Sequence, residues 1–106
     1  MARKPMAKSR KLKVNLSYTK EEFGKIKAGS IARSMEDKWD IVYEDDWLHF
    51  YRSWTGVEIY RAKFTPLSHG NYELQEILVN DDEIETTDSD HDFSTIQKLI
   101  QYYLLI

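Results

Sequence analysis

Cysteine is absent from this 106-residue chain. That excludes a disulfide scaffold, a thiolate metal site and a cysteine nucleophile. Glycine and proline are scarce, at four and two residues, so no glycine-rich phosphate-binding loop can be built. No apolar run approaches the roughly 20 residues of a membrane-spanning helix. The basic N-terminus leads into no apolar stretch, so a secretory signal is not expected. These absences fit a cytoplasmic setting.

What the chain does have is an ordinary globular composition, 42% hydrophobic with 13% aromatic. Its length suits one domain with a single modest core. The net charge of -3 is unevenly spread. Residues 1–13 hold Arg3, Lys4, Lys8, Arg10, Lys11 and Lys13 and no acid, which leaves nine basic against eighteen acidic residues in 14–106. The expectation is a disordered, solubilising basic tail over 1–13 and one folded domain over 14–106. The tail has no interleaved aromatics for base stacking and the acidic body repels phosphate, so nucleic acid is not an expected partner beyond what the tail touches.

Residues 39–64, WDIVYEDDWLHFYRSWTGVEIYRAKF, hold all three tryptophans and read as three strands joined by two tight turns. Asp45-Asp46 and Thr55-Gly56 are the expected two-residue loops. These turns pair Glu44 with Trp47, Ile41 with Phe50 and Trp39 with Arg52, then Trp54 with Val57 and Tyr51 with Tyr60. One face then gathers Trp39, Ile41, Tyr43, Leu48, Phe50, Arg52, Trp54, Val57 and Ile59, and is expected to be the core. The other gathers Asp40, Val42, Glu44, Trp47, His49, Tyr51, Ser53, Glu58, Tyr60 and Phe64.

Over 14–27 the pattern turns helical, with Thr19 and Glu22 as a capping box ahead of Phe23 and Ile26, and Gly29 as the terminator. Residues 30–38 connect. Residues 65–71 form a loop with Pro66 at the strand end, and 72–80 a fourth strand with Tyr72, Leu74, Glu76 and Leu78 on one side. The run DDEIETTDSDHD is a solvated loop from which Asp90 or Asp92 caps the next helix. Phe93, Ile96, Leu99, Ile100, Tyr103 and Leu104 mark that amphipathic helix, which should cover the apolar sheet face. The predicted fold is α+β: a four-stranded antiparallel meander with the C-terminal helix, and a short N-terminal one beside it, on one face.

The strings MEDKW and YEDDWLHFYRSWTGVEIY, then LVN at 78–80, TTDSDHD and an aliphatic helix ending in LL, resemble a family of small, uncharacterised bacterial domains. The likeness spans roughly residues 16–106. Tyr51 departs from the family pattern, in which histidine is commoner. Some members of that family accompany macro-type or ADP-ribosylglycohydrolase domains, so the resemblance implies ligands of the ADP-ribose or NAD type.

Arg52 is the most informative candidate. The expected register sets its guanidinium among Trp39, Trp54 and Ile59, where a cation needs a partner, a stacked ring or solvent. The favoured reading is an internal salt bridge to Glu36, Asp37 or the acidic loop. The alternative is a ligand anchor, since arginine grips phosphate or carboxylate bidentately and tryptophan stacks on a base. The ligand-binding set is then Arg52, Trp39, Trp54, Ser53 and Tyr51. His49, His69 and His91 lack metal-like spacing. Asp81, Asp82, Asp88, Asp90 and Asp92 lack the glycine and distal glutamate of an EF-hand loop. His49 and Ser53 lie about 13 Å apart along a strand, too far to act as base and nucleophile. No catalytic residue, metal or cofactor is expected.

Two functions remain in view. One is a non-catalytic binding module for an anionic small ligand, of nucleotide or ADP-ribose type, or for a protein partner. The alternative is a small hydrolase of a nucleotide-type ligand that uses acidic-loop carboxylates.

Overall fold

The computed structural model describes residues 4–31, 38–81 and 89–105. One antiparallel sheet is built from β1 (Ser9–Tyr18), β2 (Trp39–Glu44), β3 (Trp47–Arg52), β4 (Glu58–Pro66) and β5 (Tyr72–Asn80). The order across it is β1-β5-β4-β3-β2. Helix α1 (Lys20–Ala28) follows β1, and α2 (Ser89–Leu99) runs on into a π-helical turn, Ile100–Leu104. The α+β class and the C-terminal helix agree with the sequence reading. The strand count does not, because the sheet has five strands.

The added strand comes from the stretch expected to be a disordered tail, and that expectation is corrected. From Ser9 the chain pairs with β5, Leu12 lying opposite Ile77 and Lys11 opposite Leu78. Leu12 is buried in the core, while Lys11 is exposed and its Nζ meets Glu76 Oε1 at 3.1 Å. Side chains alternate at the strand period, so Lys11 and Lys13 share the outward face while Arg10 turns inward with Leu12 and pairs with buried Asp92. Residues 14–18, read as the start of a helix, complete the same strand. Helix α1 begins only at Lys20, behind the expected capping box. Glu22 N–H donates to Thr19 Oγ1 at 3.1 Å, and Thr19 N–H donates to Glu22 Oε1 at 2.9 Å. Phe23 and Ile26 face the core.

The β2–β3 hairpin has the expected register, with Asp45 and Asp46 both at positive φ, 54° and 70°, as a tight primed turn requires. The β3–β4 hairpin does not. Its loop is 53–56: Arg52 N–H donates to Val57 O at 2.9 Å and Gly56 N–H to Arg52 O at 2.7 Å. The pairing then runs Tyr51 with Glu58 and Phe50 with Tyr60, leaving Ile59 as a bulge. The bulge inverts the expected faces of β4, so Tyr60, Ala62 and Phe64 are in the core. A second slip makes Gln75 the extra residue on β5, so Leu74, Ile77 and Val79 all point inward. Trp39, Ile41, Leu48, Phe50, Ile59, Ile96 and Ile100 are buried as expected.

Candidate functional site

Two side-chain groups flank the start of β4, one on each face of the sheet. On the helix-covered side, Arg52 closes β3 opposite Trp39, and its guanidinium carbon lies 4.3 Å from the Trp39 ring centroid. Trp39 is 7% exposed, stacks on Tyr60 at 6.0 Å and meets Phe50 edge-on at 6.5 Å. The ring that carries Arg52 is therefore fixed by the core, while Arg52 itself is exposed. No carboxylate pairs with Arg52 among the described residues. Glu36 and Asp37, its expected partners, lie outside them. Trp54 is 59% exposed in the following loop, and Ser53 N–H donates to Lys38 O at 3.0 Å.

Of the five residues expected to bind ligand, Arg52 and Trp39 are in contact, and Ser53 and Trp54 are in the adjoining loop. Tyr51 is not part of this surface. Alternation sends it to the opposite face, where it is buried and stacks on His49 at 5.9 Å.

That opposite face holds a cluster which the sequence reading missed. Glu58 has no solvent exposure, yet its carboxylate receives four donors. Arg61 Nη2 and the Met6 amide reach Oε1 at 2.6 and 3.3 Å, and Arg61 Nε and His49 Nδ1 reach Oε2 at 3.2 and 2.5 Å. Burial alone would raise the Glu58 carboxyl, but these hydrogen bonds and the Arg61 charge outweigh it and hold the pKa below the ordinary value. The hydrogen bond to Glu58 also pushes the Arg61 guanidinium up. Because Glu58 is ionised, His49 Nδ1 is the donor, and Nε2 has no hydrogen-bond partner among the described residues. The consecutive apolar pair Ile59-Tyr60, which breaks the alternation of β4, was the available signal. A bulge there brings Glu58 and Arg61 to one face.

The acidic segment contributes a structural contact. Helix α2 starts at Ser89, so Asp92 lies inside its first turn and does not cap it. Asp92 is fully buried, accepting from Arg10 Nη2 at 3.1 Å and Tyr60 Oη at 3.2 Å. Burial, reinforced by Asp92, pushes the Tyr60 phenol up to about 12. Asp81 is 3.7 Å from Arg10 Nε, and Asp82, Asp88 and the Asp90 side chain lie outside the described residues. Among the described residues no group of three or more histidines and acids could hold a metal. A groove of about 420 Å³ runs between the end of β1 and α2, lined by Tyr18, Glu22, Lys98 and Tyr102 among others, and includes neither Arg52 nor an aspartate.

Comparison with protein-family models, characterised proteins and solved structures finds no match.

Proposed function

We propose that this chain is a binding module without catalysis that takes an anionic small ligand, of nucleotide or ADP-ribose type, on the surface formed by Arg52, Trp39 and Trp54. The observation that carries the reading is the exposed Arg52 guanidinium stacked on a core-anchored tryptophan, with a second, exposed tryptophan two residues on. A cation held over a ring keeps its in-plane donors directed outward for phosphate or carboxylate, and an exposed indole offers a stacking face for a base. The likeness of the MEDKW and RSWTG strings to a family of small bacterial domains supports the same ligand class. A cysteine-free chain suits a reducing cytoplasm, and no helix among the described residues is long and apolar enough to cross a membrane.

Hydrolysis by acidic-loop carboxylates draws no support from Asp92, which is engaged by Arg10 and Tyr60. The test is thermal denaturation with ADP-ribose, ADP and NAD. A ligand at 100 times its Kd adds about 2.7 kcal/mol, and Arg52→Ala should abolish that gain. Stabilisation that survives Arg52→Ala and Trp54→Ala together would place the site elsewhere. No stabilisation by any of the three, with binding to a protein partner instead, would favour an interaction surface.

A further inference from the structure

Residues 4–8 lie across the start of β4 as a strap, and they hold the end of the loop that carries Trp54. Lys4 N–H donates to Gly56 O at 2.7 Å, and Lys4 O accepts from Glu58 N–H at 3.0 Å, a parallel bridge beside Val57. Met6 N–H donates to the Glu58 carboxylate at 3.3 Å, and Asp81 N–H donates to Lys8 O at 3.0 Å. The strap takes backbone positions that β5 leaves open, because the last β5 residue paired with β4 is Val79, opposite Tyr60.

Its own attachment is light. Met6 is half-buried, while Lys4, Pro5, Ala7 and Lys8 are exposed. A segment held by a few backbone hydrogen bonds near water opens more easily than the sheet beneath it. The loop it holds is similarly spare: Trp54 and Thr55 are exposed, and buried Gly56, at φ 76°, is the residue the strap grips.

We propose that residues 4–8 are a clasp: docked, they order the 53–56 loop, and released, they free it together with Trp54. The regulatory meaning of the clasp rests on the ligand reading above. If Arg52 and Trp54 bind ligand, strap docking and ligand binding strengthen one another by the same factor.

The test is amide hydrogen exchange on the full chain, on Lys4→Pro and Met6→Pro separately, and on a chain lacking residues 1–6. Lys4→Pro removes the donor to Gly56, and Met6→Pro removes the donor to Glu58. The Arg52 and Gly56 amides should exchange about tenfold faster, the scale of one lost backbone hydrogen bond, with the centres of β4 and β5 unchanged. The idea is overturned if the Glu58 amide, bonded to the strap, speeds up while Arg52 and Gly56 keep their rates. Should the proline variants leave even Glu58 protected, the truncated chain decides by the same comparison. ADP-ribose affinity, measured on the same proteins, should fall about fivefold or more if the two events are coupled. Faster loop exchange with no ADP-ribose binding to the full chain would uphold the clasp and sink the ligand reading.

Discussion

Glu58 and Arg61 stand three residues apart on one strand, yet they share an ion pair of 2.6 Å. Odd spacing puts two side chains on opposite faces of a regular strand. The bulge at Ile59 turns them to the same face, and the register there sets His49 opposite Arg61 and Tyr51 opposite Glu58. A buried carboxylate with four donors ties β3, β4 and the N-terminal strap together at one point.

Removing that charge should be costly. Glu58→Gln keeps the shape but removes the charge and turns one of the two acceptor oxygens into an NH2 donor facing Arg61 or His49, and should lower stability by about 2–3 kcal/mol at neutral pH. This is below the range for a fully buried pair because Arg61 retains access to water. The folded pKa of Glu58 is lowered, so its contribution is complete above the unfolded value of about 4.3 and is lost as the pH falls through the folded value. Urea unfolding of both proteins from pH 7 to pH 3 checks this. The gap should narrow below about pH 4, and an equal gap throughout would mean that another charge is responsible.

Arg52→Ala separates stability from binding. The sequence alone favoured an internal salt bridge, and losing one would cost several kcal/mol. The structure shows an exposed guanidinium stacked on Trp39, a contact worth about 0.5–1 kcal/mol at such a site. Thermal denaturation should therefore shift by no more than a few degrees. A loss above about 2 kcal/mol would show that a carboxylate grips Arg52 after all.

The parts of the fold written in local rules were legible. Thr19 and Glu22 announced the capping box, Asp45-Asp46 the first hairpin, and Phe93, Ile96 and Ile100 the covering helix. What failed depended on non-local pairing. Lys11 and Lys13 hid a strand because a run of like charge resembles a tail until Glu76 is known to lie beside it. The 53–56 loop and the Ile59 bulge each change a register by less than a turn's worth of sequence, yet together they decided which face of β4 became core. Of the five candidate ligand residues, Arg52 and Trp39 are in contact because they belong to the hairpin whose register was right. Tyr51 was lost to alternation, and the Glu58 cluster could not be read without the bulge.

Two glycines should respond to alanine in opposite directions. Gly29 has φ 68°, and a Cβ there would lie 2.4 Å from the Ile41 carbonyl oxygen, where residue 30 bridges to the edge of β2. Gly29→Ala should cost about 1–3 kcal/mol in backbone strain, with the clash added. Gly24 sits exposed in α1, and a methyl group added to its Cα would meet nothing within 4 Å. Gly24→Ala should stabilise by about 0.5–1 kcal/mol through helix propensity. Chemical denaturation of both variants checks the pair, and a destabilising Gly24→Ala would contradict the environment described for α1.

Truncation from the N-terminus should show a sharp boundary. Removing residues 1–8 takes away the strap but leaves β1 whole from Ser9, so the melting temperature should change little. Removing 1–13 also takes Leu12 from the core and Arg10 from Asp92, a carboxylate with no solvent exposure. Losing a buried leucine costs about 2–5 kcal/mol, and stranding a buried charge adds about 3 kcal/mol or more. For a domain of this size each kcal/mol lowers Tm by about 4–8 °C, so the longer truncation should melt at least about 20 °C lower or fail to fold. Melting curves for the two truncations decide the matter. If the 1–13 deletion melts within a few degrees of the full chain, the first half of β1 contributes nothing to the sheet, and the five-stranded arrangement is wrong at its edge.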